Sequence, residues 1–154
     1  MKSNKIALVA LLLWVVTLAA FAWFFIHGST SAGSDGRTSI VLQPAERDLV
    51  LSEMRGLLSS TQGILDGANK GDAKLIIQAA HAAGMAAAAD VNPALMAKLP
   101  LEFKLLGMGV HHDMDDIAKA AEGGVPVPEI LKMTSNTLQK CVACHSAWQI
   151  KAGD

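Results

Sequence analysis

Twenty-one consecutive residues, Ile6 to Ile26, carry no charge. No other feature limits the fold as sharply. As a helix, such a run is about 31 Å long, close to the thickness of a bilayer's hydrocarbon core. Lys2 and Lys5 stand before it. That asymmetry leaves residues 1–5 as a cytoplasmic start and sends the rest of the chain across the membrane. Residues 6–26 are therefore read as a transmembrane anchor, or an uncleaved signal. A cleaved signal peptide is the competing reading, with Thr30-Ser31-Ala32 as a passable site. The apolar core is longer than such signals carry, and it ends on bulky Trp23-Phe24-Phe25-Ile26. This one segment also accounts for a hydrophobic fraction of 51%, high for a soluble protein.

Gly28 to Ser39 is small and polar, so residues 28–43 are expected to form a flexible tether. From Ile40 onward there are ten Lys and Arg against thirteen Asp and Glu, a net charge of −3. No basic patch suits nucleic acid. The mild acidity gives only a slight preference for a basic partner surface.

The stretch from Pro44 on shows no strand alternation and breaks into four helical segments. Pro44 opens the first, with Glu46 and Asp48 complementing its dipole. Its apolar stripe is Val50, Met54, Leu57, Leu58, Thr61, Ile64 and Leu65, and Gly67 and Gly71 end it. Asp72 caps an alanine-rich second helix from Ala73 to about Ala89, and Asp90-Val91-Asn92-Pro93 breaks it. Ala94 to Leu99 adds a short turn. A third helix runs from Pro100 to about Ala121, and Gly123 to Pro128 separates it from a fourth that reaches Trp148 or Ile150. Four amphipathic helices with short connections imply an all-α, up-down-up-down four-helix bundle over 44–154, preceded by one transmembrane helix.

The chain's only two cysteines stand in Cys141-Val142-Ala143-Cys144-His145. C-x-x-C-H is the covalent attachment signal of haem c: each thiol bonds a vinyl group, and the adjacent imidazole becomes the proximal iron ligand. A zinc site would need two further ligands at comparable spacing, and no second C-x-x-C or H-x-x-x-H is present. A thioredoxin-like pair would follow a strand, which is not expected here. One covalent haem is thus the implied cofactor, with Cys141 and Cys144 holding it and His145 on its iron.

A late C-x-x-C-H, a helical bundle and an exported chain together resemble the class II c-type cytochromes, the cytochrome c′ and c-556 family, over roughly Pro44 to Ile150. The resemblance implies that Trp148, three residues after His145, packs on the haem. The family often carries a basic residue next, where this chain has Gln149. It commonly places an arginine four residues before the distal-side residue, which would pair Arg47 with Leu51. Met54-Arg55-Gly56-Leu57-Leu58 also resembles the first helix of cytochrome b-562, whose methionine is the sixth ligand. Members are often dimers, so a homodimer is among the implied partners.

The sixth position separates two functions. Met54 lies about 15 Å into the first helix, toward the end of the bundle that carries His145. If it binds the iron, both oxidation states keep their ligands and the protein suits one-electron transfer. If Leu51 faces the iron, an open position could take NO or CO for sensing or scavenging. His112 is a third candidate at similar depth, although Val110 to Asp116 reads mainly as a solvated face. Methionine on an apolar stripe is more often plain core filling. No acid–base or nucleophilic constellation stands out, so the expectation is an electron carrier, not an enzyme. It would be anchored in a bacterial inner membrane with its haem domain in the periplasm, serving redox partner proteins or acting as a relay in a larger respiratory complex.

Overall fold

The computed structural model describes residues 2–89 and 91–153. Met1, Asp90 of the second break and Asp154 at the end of the helical region lie outside the described residues. Among the described residues the fold is 76% helical, with six α-helices, the first of them an apolar helix at the N-terminus. The elements are α1 (Lys2–His27), β1 (Thr30–Ala32), β2 (Thr38–Leu42), α2 (Pro44–Lys70), α3 (Ala73–His81), α4 (Pro93–Lys98), α5 (Leu101–Glu122), α6 (Val127–Ala147) and β3 (Trp148–Ala152). A short 3-10 turn, Met85–Ala88, lies between α3 and α4.

Local chemistry sets most of these boundaries. Pro44 takes the first turn of α2, where its missing N–H costs nothing, and the Glu46 carboxylate accepts from the Gln43 backbone N–H (2.9 Å). Gly71 ends α2 in the left-handed conformation (φ 65°), which a residue with a Cβ adopts only under strain. Asp72 caps α3 by accepting from Leu75 N (3.1 Å). The second helix is shorter than expected. α3 stops at His81, and its continuation folds instead against α5, where Asp115 accepts from Met85 N (3.1 Å).

Two apolar clusters form the interior. The first joins Ile64 of α2, Ile76 and Ala80 of α3, Val110, Met114 and Ile117 of α5, and Ile130 of α6. Each large aliphatic side chain buried there contributes about 1.5–3 kcal/mol. The second lies toward the α1 end and joins Ile40, Leu42, Val50, Leu95, Leu99 and Phe103.

Two expectations are corrected. Residues 28–43 are not a loose tether, because β1 and β2 form an antiparallel hairpin and β3 joins β2 in parallel, with Thr38 opposite Trp148 and Leu42 opposite Ala152. Ile40 and Leu42 alternate inward and are wholly buried, so the hairpin is pinned by the second cluster. The fourth helix also stops short. Trp148 is extended (φ −125°, ψ 147°), and its strand finds the backbone partners that β2 offers.

α1 is the one helix, among the described residues, long and apolar enough to cross a membrane. Its apolar side chains are exposed along its length, as a lipid-facing surface requires.

Candidate functional site

Cys141 and Cys144 lie on the last two turns of α6, and each packs on a different core. Cys141 leans on the first cluster, while Cys144 leans on the second together with Met54, Trp148 and Ile150. The motif therefore straddles the seam between the clusters, and the seam is open. A cleft of about 430 Å³ runs between α2 and α6, lined by Leu51, Met54, Leu57, Leu138, Cys141 and His145, among others. A smaller one of about 170 Å³ continues toward β3, past Arg37, Arg47, Phe103, Cys144 and Trp148, and shares Leu51, Met54 and His145. The walls of the larger cleft are mostly apolar, with Arg55, Thr61 and His145 as the polar side chains among them.

The two thiols are not joined in a disulfide. Burial pushes both above the ordinary cysteine range, and for Cys144 the neighbouring Cys141 adds to the effect. A reactive redox pair needs the opposite, a thiolate stabilised by nearby positive charge. The His145 side chain is exposed, and no hydrogen bond fixes its imidazole among the described residues. Among those residues no three His, Cys, Asp or Glu side chains converge as a metal set. The donor set that does converge is two thiols, one imidazole and one thioether around an apolar slot. That set fits covalent haem c.

Trp148 stands at the mouth of the cleft as the first residue of β3. Its ring meets Phe103 edge-on, with centroids 6.5 Å apart. Leu51 and Met54, one turn apart on α2, both face the cleft that His145 lines, so the two sixth-position candidates share the site. His112 does not. It is exposed on α5, outside the cleft, and so is not brought to the candidate iron position. The Val110–Asp116 stretch is also less solvated than its composition implies. His111 is buried and donates from Nδ1 to the Ala83 carbonyl (2.8 Å), and Met114 is fully inside.

One residue at the cleft was not singled out from sequence. Arg37, on the hairpin before β2, pairs with Asp35 (2.6 Å) and donates to the His145 carbonyl (3.3 Å) and to Gln149 Oε1 (3.4 Å). The Arg37 guanidinium holds the Asp35 carboxyl below its ordinary range. Gln149, where the resembled family carries a basic residue, thus receives a basic partner from the other end of the chain. Arg47, from the first turn of α2, lines the same mouth. Comparison with family models, curated proteins and solved structures gave no match.

Proposed function

We propose that this protein is a membrane-anchored, mono-haem c-type cytochrome that carries single electrons. In this reading α2, α3, α5 and α6 are the four helices of a haem-binding bundle. α1 is the anchor in a bacterial inner membrane, and the haem domain faces the periplasm. The observation that carries the reading is the convergence of Cys141, Cys144, His145 and Met54 on two adjoining clefts, with Met54 and His145 lining both, Cys141 the larger and Cys144 the smaller. The two cysteines and the histidine share one five-residue motif, but Met54 comes from a helix nearly ninety positions earlier.

When bound, the haem supplies a one-electron iron couple. The chain's own residues do the rest. Cys141 and Cys144 would hold the ring covalently, and His145 would hold the metal from one side. Leu57, Leu138 and the buried Met114 side chain line the larger cleft and would keep water from the ring. Arg37 and Arg47 line the mouth of the smaller cleft, where their guanidinium groups could pair with carboxylates of the bound ring. Thioether ligation by Met54 would favour the reduced state and raise the potential. Redox partner proteins would meet this mouth, and a second copy of the chain is a further candidate partner.

Leu51 supports a second reading. It shares the cleft with Met54, and with Leu51 over the iron the sixth position stays open to NO or CO. Optical spectra of the holoprotein separate the two. A low-spin spectrum that Met54→Ala turns high-spin supports the carrier. A high-spin ferrous protein that takes up CO in the unmodified chain supports gas binding instead.

A further inference from the structure

The candidate cleft and the end of α1 lie at the same end of the molecule. Phe103 lines the cleft beside Trp148. The next residue, Lys104, is only 7% exposed. Its Nζ donates to the carbonyls of Phe25 (3.0 Å) and Met96 (3.3 Å) and stands 3.7 Å from the centroid of the Phe25 ring. Phe25 is in the last turn of α1, where carbonyls lack helical partners and a cation is favoured by the helix dipole. Burial pulls the Lys104 ammonium below the ordinary lysine range, while the two carbonyls and the aromatic face are the partners a buried cation needs.

Two more contacts make this joint tight. Ser29 N donates to the Lys98 carbonyl (2.7 Å). Gly28 turns the chain in the left-handed conformation (φ 63°), with its bare Cα face against the α4–α5 connection. A Cβ there would lie 2.7 Å from Pro100 N and 2.8 Å from Leu99 C. A groove of about 560 Å³ is lined by Val16, Thr17, Ala20, Phe21, Phe24 and Phe25 of α1 and by Ala97 of α4. One residue past the clamping lysine, Leu105 is 64% exposed.

We propose that the elbow formed by α4 and the first turns of α5 is a lipid-contact surface. It rests in the headgroup layer of the bilayer that α1 spans and holds the cleft at the membrane surface in a fixed orientation. The inference rests on the reading of α1 as a membrane anchor. The occupant follows from covalent continuity. Val16 to Phe25 form one wall of the groove and belong among acyl chains, so Ala97, on the other wall, stands at the edge of the same bilayer. A swinging domain would need a loose connection, and residues 28 and 29 are instead locked to Lys98–Pro100.

The test uses the full chain in phosphatidylethanolamine/phosphatidylglycerol vesicles, with the photocrosslinker p-benzoylphenylalanine in place of Leu105 or of Leu131. Leu131 is a 38%-exposed control near the start of α6, at the opposite end of the domain. After irradiation, mass spectrometry reads the protein–lipid adduct, a signal independent of haem loading. The adduct at position 105 is expected to exceed that at 131 by about tenfold, as for a side chain seated at the headgroup boundary. Gly28→Val and Lys104→Gln are each expected to lower the ratio several-fold. Equal yields at the two positions in protein that floats with the vesicles would overturn the lipid-contact surface and leave the anchor standing. A ratio that neither variant lowers would contradict the fixed joint. Protein that does not float would overturn the anchor reading and this inference together.

Discussion

α2 has two flanks, and they are built in opposite ways. Against α3 the contact is closed and made of small residues. A Cβ on Gly63 would lie 2.7 Å from the Cβ of Ala79, and one on Gly67 would lie 2.8 Å from Ile76 Cγ1. Against α6 the helix presents Met54, Leu57 and Leu58 across an open, apolar cleft to Leu138 and Cys141. Leu58 remains 70% exposed there, a poor position for leucine in water. The chain's own side chains therefore complete one seam and leave the other apolar and unfilled. The unfilled seam also holds Cys141 and His145 of the C-x-x-C-H motif, with Cys144 in the smaller cleft that adjoins it.

Changes at the motif should have the largest effect. Cys141→Ala with Cys144→Ala is expected to abolish covalent haem, read as loss of the haem band on a denaturing gel. If colour survives denaturation, the open seam is not an attachment site. Next comes the closed flank. Gly63→Leu would force α2 and α3 apart at a cost of about 1–3 kcal/mol, and Ile64→Ala, in the core beside it, would cost about 2–5 kcal/mol. Both are measurable by denaturant unfolding. On the open flank Leu58→Ala should cost the apoprotein less than about 0.5 kcal/mol, as for an ordinary surface change, yet it should lower the stability of the haem-loaded protein by more than that. Equal costs on the two flanks would erase the contrast between them.

The smallest effect concerns pH. Glu53, half-buried beside the second cluster, has its carboxyl pushed above the ordinary range by burial, partly offset by His111. A raised carboxyl pKa contributes stability below the unfolded value, and that stability is lost as pH rises through the folded one. Glu53→Gln should therefore raise the melting temperature at pH 7 by more than at pH 4. A gain that is the same at both pH values would mean that Glu53 is not disfavoured in its charged form.

Much of the helical layout is legible in the sequence because its signals are local. Pro44, Asp72, Gly71 and the Gly123–Pro126 break each act on the backbone within a turn of themselves. The strands are not legible there for the opposite reason. Thr38 pairs with Trp148, and no window along the chain contains both. The Ser34-Asp35-Gly36 turn and the inward alternation of Ile40 and Leu42 were nevertheless available signals for the hairpin. Arg37 carries no local signal, because its partners, the His145 carbonyl and Gln149, are more than a hundred residues away. Lys104 reads as a surface charge on α5 until the end of α1 is set against it. The cysteines and His145 needed no fold to be found, whereas bringing Met54 and Leu51 to them depended on the crossing of α2 and α6.

The most direct test is the intact mass of the full chain made in cells that carry a haem c maturation apparatus. The expected result is a coloured protein at the polypeptide mass plus one haem. The added mass should be lost when Cys141 and Cys144 are replaced. A colourless product at the bare polypeptide mass, from cells that mature a control cytochrome, would contradict the account.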